Sequence, residues 1–269
     1  MWGFFVEYSV AKLYKYCSSG DEYINSLRND QIYLSDPSTF NDIFDCNLTI
    51  DRISNNEIFL KKIVREILRE KPNYYEKFSE TTQQAIKSWS GFDGRLSADV
   101  GRRDNIPFCV QSMILDSKKC GVYCFSKGFD SHLMWAHYAE KHQGFCIEYD
   151  YSIIDNPFIV PVSYMSELPR ITVDEFLLLP NQTLQKLWAV KNYGWAYEKE
   201  HRLIYPNMEG ERLKKISDGI SSDLKVTSVI VGYRISEKLK EELRKLCLER
   251  AWEFREMKID SRSGVFEAE

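Results

Sequence analysis

The feature that most constrains this chain lies in its last fifty residues. The apolar run VTSVIVG predicts a short buried strand, and Ser236 follows in the position of a helix cap. Leu239, Leu243, Leu246 and Cys247 then recur at helical spacing. The alternating WEFREMKID returns the chain as a closing strand. A strand, helix and strand of these lengths suit a parallel, right-handed crossover. Such a unit must bury helix against sheet, so the fold mixes α and β.

The same periodicities organise the rest of the chain. Lys12 to Cys17 alternates and predicts a Tyr-rich strand, and Asp21 to Asn29 predicts a helix starting near Ser19 or Gly20. QIYLS predicts a second strand, and DPSTFNDIFDC a loop. Leu60, Ile63, Val64, Ile67 and Leu68 have helical spacing up to Pro72, and Tyr74 to Trp89 predicts another helix. With the basic GFDGRLSADVGRRD stretch, residues 51–119 read as a mainly helical insertion in one α+β domain spanning 1–269. GVYCFS is a buried strand, DSHLMWAHYAEK a helix and GFCIEYD a strand. In that helix Leu133, Ala136 and His137 share one face, and Met134 and Tyr138 another. Thr172 to Leu187 predicts a helix interrupted by Pro180. YEKEHRLIY alternates, which would place Glu198, Glu200 and Arg202 on one strand face.

Charge and cysteines narrow the function classes. With 36 basic and 40 acidic residues the chain carries a net charge of −4, so no broad basic footprint for nucleic acid is expected. The seven cysteines are scattered without a CxxC, and no His stands at zinc-finger spacing from them. Cys120 and Cys124 would share a strand face as buried thiols. A cytoplasmic protein with structural thiols is expected. The N-terminus lacks a basic signal-peptide region, and no apolar stretch approaches the about 20 residues of a membrane span.

Three polar-aromatic segments carry the residues suited to chemistry. Glu198 and Glu200 could orient a sugar hydroxyl, stabilise developing positive charge or hold a metal; equally, they could lie on a solvated edge paired with Arg202 and Lys199. In CFSKGFDSHLMWAHYA, Ser126 ends a strand before a helix bearing Trp135, His137 and Tyr138. His137 could act as acid, base or donor, or be a plain helix residue, and Trp135 could stack on a ligand or pack in the core. Asn41, Asp42 and Asp45 could bind a metal through oxygen or simply close turns. Lys15, beside Tyr16, could meet a phosphate or snorkel from its strand. His132, His137 and His142 are spaced about 140° apart on a helix, which is wrong for a shared zinc site. No metal is expected.

LYKY, FNDIFDC, CFS, LMWAHYAEKHQGFCIEYD and KNYGWAYEKEHRLIY, in this order, resemble the bacterial domain-of-unknown-function 2971 family. The likeness runs from about Lys12 to Tyr205. Ile43 stands where the family usually has Pro, and His201 where it often has Trp. The order of segments also resembles that of ADP-ribosyltransferases, in the branch of nucleic-acid-directed toxins. That resemblance implies a split β-sheet core with NAD as substrate. It matches Lys15 to the basic position, Ser126 and Tyr138 to the middle motif, Glu200 to the catalytic glutamate and Glu198 to the upstream acid. Tyr16, Asn41, Trp135 and His137 would complete the cofactor-binding walls. Lys15 departs from the usual His or Arg, which weakens the expected grip on NAD.

The resemblance implies an NAD-consuming transferase or glycohydrolase, of the kind used as a toxin or an abortive-infection effector against phage. Its acceptor would be nucleic acid or protein, and its partner an antitoxin or other defence component. Two further functions stay open. One is a metal-dependent nuclease or phosphohydrolase using Asp42, Asp45, Glu148, Glu198 or Glu200. The other is a non-catalytic module sensing a ligand or partner.

Overall fold

The computed structural model describes residues 10–42, 44–47, 49–51, 119–152, 159–172, 186–205, 208, 210–217, 224–260 and 266–269, with a few isolated positions between them. Strand β1 (Val10–Cys17), helix α1 (Asp21–Arg28), β2 (Gln31–Tyr33) and β3 (Thr49–Asp51) come first. Next are β4 (Gly121–Ser126), α2 (His132–Tyr138), β5 (Phe145–Ser152), β6 (Ile159–Pro161), β7 (Ser163–Met165) and β8 (Arg170–Thr172). The rest are β9 (Val190–Asn192), β10 (Glu200–Tyr205), β11 (Leu213–Lys215), β12 (Lys225–Val231), α3 (Glu237–Arg250), β13 (Glu253–Ile259) and β14 (Phe266–Ala268).

Eight strands form one mixed sheet in the order β14-β13-β12-β5-β1-β4-β10-β6. Only β12 and β13 pair in parallel within it, Ser228 opposite Glu253, as a crossover through α3 requires. Ser236 caps α3 through its hydroxyl, and Leu239, Leu243, Leu246 and Cys247 are all buried. The predicted strand–helix–strand is therefore present.

Alternation along the strands separates the two faces of the sheet, each with apolar clusters of its own. Leu13 and Cys17 of β1, Tyr123 and Phe125 of β4, and Leu203 of β10 pack with the buried faces of α1 and α3. Tyr14 and Tyr16 point the other way and pack with Met134 and Trp135 of α2 and with Cys146 and Ile230. On α2 the predicted faces hold, since Met134 is buried while Leu133 and His137 are exposed.

The middle of the sheet is its weakest seam. β1 and β5 pair over eight residues, but β1 and β4 share a single ladder pair, Tyr14 opposite Ser126. Beyond that pair the strands part, and residues from both line the cavity described below.

Most of the predicted 51–119 insertion and most of Thr172 to Leu187 lie outside the described residues. The predicted QIYLS strand is shorter than expected; Ser35 adds an isolated bridge to Val122. The strand read over YEKEHRLIY requires a larger correction. Glu198 ends a 3-10 turn, Tyr193–Glu198, and the strand starts only at Glu200. Lys199 between them is left-handed, with φ of 46°. Asn192 opens that turn by accepting from the Gly194 N–H, a capping bond that alternation alone does not reveal. Among the described residues, no helix is long and apolar enough to cross a membrane.

Candidate functional site

A cavity of about 390 Å³ opens where β1 and β4 separate. Tyr14, Lys15 and Tyr16 line it from β1, and Cys124, Phe125 and Ser126 from β4. The loop after β2 contributes Phe40, Asn41 and Asp45, α2 contributes Met134 and Tyr138, and Lys191, Glu198 and Glu200 complete the wall.

The acidic pair lies at the centre of a buried charge network. Arg202 is completely buried, and its guanidinium bridges two carboxylates. Nε and Nη2 donate to Glu200 at 2.8 and 2.9 Å, while Nη1 and Nη2 donate to Asp45 at 2.7 Å each. Nη1 also reaches the Trp188 carbonyl at 2.7 Å. Lys191, on β9, donates to Glu198 at 2.7 Å and Glu200 at 3.4 Å, and lies 3.5 Å from Asp45. The short parallel β7–β9 ribbon delivers Lys191 opposite Tyr164, whose hydroxyl accepts the Glu200 backbone N–H. This is not the solvated edge that was the alternative for the acidic pair. The partners of the carboxylates are Arg202 and Lys191; Lys199 is exposed.

The two glutamates differ in electrostatics. Burial pushes the Glu200 carboxyl up, but the charge and hydrogen bonds of Arg202, with Lys191, outweigh it and hold it at about 2. Glu198 is raised, because burial exceeds the opposing pull of Lys191 and Tyr138. Its Oε1 accepts the Tyr138 hydroxyl at 2.5 Å and its Oε2 accepts Lys191. Burial and the bond to Glu198 raise Tyr138, so its phenol keeps its proton. Counted as ionised, Asp45, Glu198 and Glu200 face Lys191 and Arg202, so the network itself carries one excess negative charge, while the Lys15 ammonium stands elsewhere on the cavity wall.

The remaining predicted residues fall into two groups. Asn41 lines the cavity and donates to the Tyr138 hydroxyl at 3.4 Å. Ser126 lines it too, but its hydroxyl donates to the Glu198 backbone carbonyl at 2.7 Å and so holds the turn that carries Glu198. The Tyr16 hydroxyl donates to the Gly128 carbonyl, and the Lys15 ammonium lies 4.6 Å from the centre of the Tyr123 ring. Trp135 and His137 are not among the lining residues. Trp135 is fully buried, with its indole N–H on the Phe129 carbonyl, whereas His137 is exposed beside Tyr197.

Asp45 belongs to the network, while Asp42 uses one oxygen to cap the Phe44 N–H. Glu148 is in a separate buried cluster, gripped by Lys12, Thr227 and Arg255. Sequence reading missed Lys191 as a site residue. Its neighbour Asn192 opens the turn to Glu198, and that turn brings the Glu198 carboxylate back onto the Lys191 ammonium.

Residues 134–203 match the model of a family described as protein of unknown function, DUF2971. The matched stretch carries Tyr138, Lys191, Glu198, Glu200 and Arg202, and thus much of the network. No curated protein and no solved structure matches the chain.

Proposed function

We propose that this cavity binds NAD and that the protein is an ADP-ribosyltransferase-like enzyme cleaving the nicotinamide–ribose bond. The observation that carries this is the excess negative charge of the Asp45–Glu198–Glu200 network on a cavity walled by tyrosines. Breaking that bond develops oxocarbenium charge on the ribose, which a fixed, buried carboxylate stabilises more in the transition state than in the ground state. The sheet seam at Tyr14 and Ser126 supports the kinship with a split-sheet core. The cavity volume lies at the small end of ligand sites, suited to the nicotinamide-ribose half of NAD. Tyr14 and Tyr138 offer rings to a planar base, and Lys15 offers a cation to the pyrophosphate.

The two carboxylates then divide the work. Glu200 is held on both oxygens by Arg202 and sets the position and charge of the site. Glu198 carries only one charge-assisted bond and the Tyr138 hydroxyl, so it is the carboxylate free to exchange a partner for a ribose hydroxyl.

A metal-dependent hydrolase has less support. The Lys191 ammonium already stands within 3.5 Å of all three carboxylates, where a divalent ion would have to sit. Among the described residues no group of His, Cys, Asp or Glu is suited to hold an ion. A ligand-sensing module remains the second reading, favoured by the engagement of Ser126 and Glu200 in internal bonds. Mass spectrometry of NAD incubated with the purified protein, alone and with extract containing nucleic acid and protein, tests the proposal. Nicotinamide release that disappears in folded Glu198→Gln is expected. NAD binding without release in any mixture would favour the sensor, and neither binding nor release would overturn the NAD assignment.

A further inference from the structure

Among the described residues Lys191 is the one cation that touches all three carboxylates of the network. It is almost fully buried, at 6% exposure, and the Trp195 ring covers it with its centre 5.0 Å from Nζ. Arg202, by contrast, makes its carboxylate bonds with Asp45 and Glu200 and has none with Glu198. The charge of Glu198 therefore depends on Lys191 in a way that the charge of Glu200 does not.

We propose that Lys191 is a positioning residue that fixes Glu198 and keeps it ionised for work in the cavity. This rests on the NAD-cleaving function proposed above. The groups facing Glu198 define the effect. Tyr138 from α2 donates to Oε1, and Tyr164 from β7 and Tyr197 from the preceding turn keep their protons because burial raises both. Glu200 opposes ionisation of its neighbour, Asp45 adds a further carboxylate, and Arg202 is committed to those two. Without the ammonium, three buried carboxylates would share one guanidinium, and Glu198, which has no bond to it, would take up the proton. Lys191 itself keeps its charge: burial opposes it, but Glu200 and Glu198 outweigh that and raise it.

The test is a carbon-13 NMR titration of the glutamate carboxyls, with Glu198 assigned by its loss in Glu198→Gln, run beside nicotinamide release against pH. In the wild type Glu198 should be ionised at pH 7. In Lys191→Met its midpoint should move to higher pH, and the acid limb of the turnover profile should move with it. Turnover on that limb should fall about tenfold per pH unit of displacement, mainly in kcat. Lys191→Arg should restore most of the wild-type profile, a rescue that a purely packing role would not give. An unchanged Glu198 midpoint in folded Lys191→Met would overturn the inference. If that variant does not fold, the wild type decides. An ionised Glu198 with a scalar coupling to the Lys191 ammonium supports the inference, and a protonated Glu198 at pH 7 overturns it. If the wild type releases no nicotinamide, the proposed function fails, while the titration still decides the role of Lys191.

Discussion

Arg202 shows how strongly one side chain can commit a site to its geometry. Its guanidinium ties β10 to the loop after β2 through Asp45 and Glu200, and it is wholly buried. Arg202→Met should therefore destabilise the protein by about 3–5 kcal/mol in urea unfolding, because two buried carboxylates lose their partner. The acid sensitivity of the fold follows from Glu200. Its folded value of about 2 lies below that of the unfolded chain, so it binds its proton less tightly when folded. The stability it contributes is present above the ordinary carboxylate range and is lost as pH falls from about 4.5 towards 2. Glu198, raised in the fold, works in the opposite sense and loses its smaller contribution as pH rises. Urea unfolding at pH 6 and pH 3 should find the wild type weaker at pH 3, with a shallower dependence in Glu200→Gln. At this scale the sequence showed which residues were polar and close in the chain, and it placed Glu198, Glu200, Tyr138 and Asn41 in one candidate site. It could not show that Lys191 and Asp45 would meet them, since those contacts are made by separate elements. Trp135 and His137 stand two apart on one helix, nearly opposite in helical phase, so the first enters the core while the second faces solvent.

The elements were legible where a period repeats for long enough to be read. Strand β12, helix α3 and strand β13 appear as expected because Leu239, Leu243 and Leu246 keep helical spacing beneath a clear cap. Ser236→Ala should cost about 1 kcal/mol, measured as a lower urea midpoint with an unchanged slope. The start of the strand expected over YEKEHRLIY is set too early, because Tyr197 to Lys199 continue the alternation of the strand that begins at Glu200. The Asn192 cap and left-handed Lys199 turned the backbone instead. Gly144 marks another limit that periodicity does not show. A Cβ there would stand 2.0 Å from the Cys17 carbonyl oxygen, so β5 enters the sheet only with glycine at this point. Gly144→Ala should destabilise by about 1–3 kcal/mol or more through backbone displacement, and the same denaturation assay reads it.

Across the described sheet, β1 and β4 are joined by one ladder pair, and the Glu200 network stands beside that seam, Glu200 pairing with the same Ser126. The α+β class was legible in the sequence because strand patterns stand at both ends of the chain with helical patterns between them. The seam was not, since strand pairing over long sequence separation leaves no local signature. Apolar side chains pack across the strands that border the cavity, Leu13, Phe125 and Leu203 on one face of the sheet and Tyr14, Tyr16 and Trp135 on the other. The charge is held unevenly: Arg202 grips both oxygens of Glu200, whereas Glu198 is held by Lys191 and the Tyr138 hydroxyl. The most direct test is the rate of nicotinamide release from NAD by wild type, Glu198→Gln and Glu200→Gln, expressed per folded molecule. Release by the wild type is expected, with a loss of about 100-fold or more in Glu198→Gln despite a near-normal fold, and a large loss of stability in Glu200→Gln. Release that persists in Glu198→Gln, or no release by any of the three with or without acceptor, would contradict the proposal.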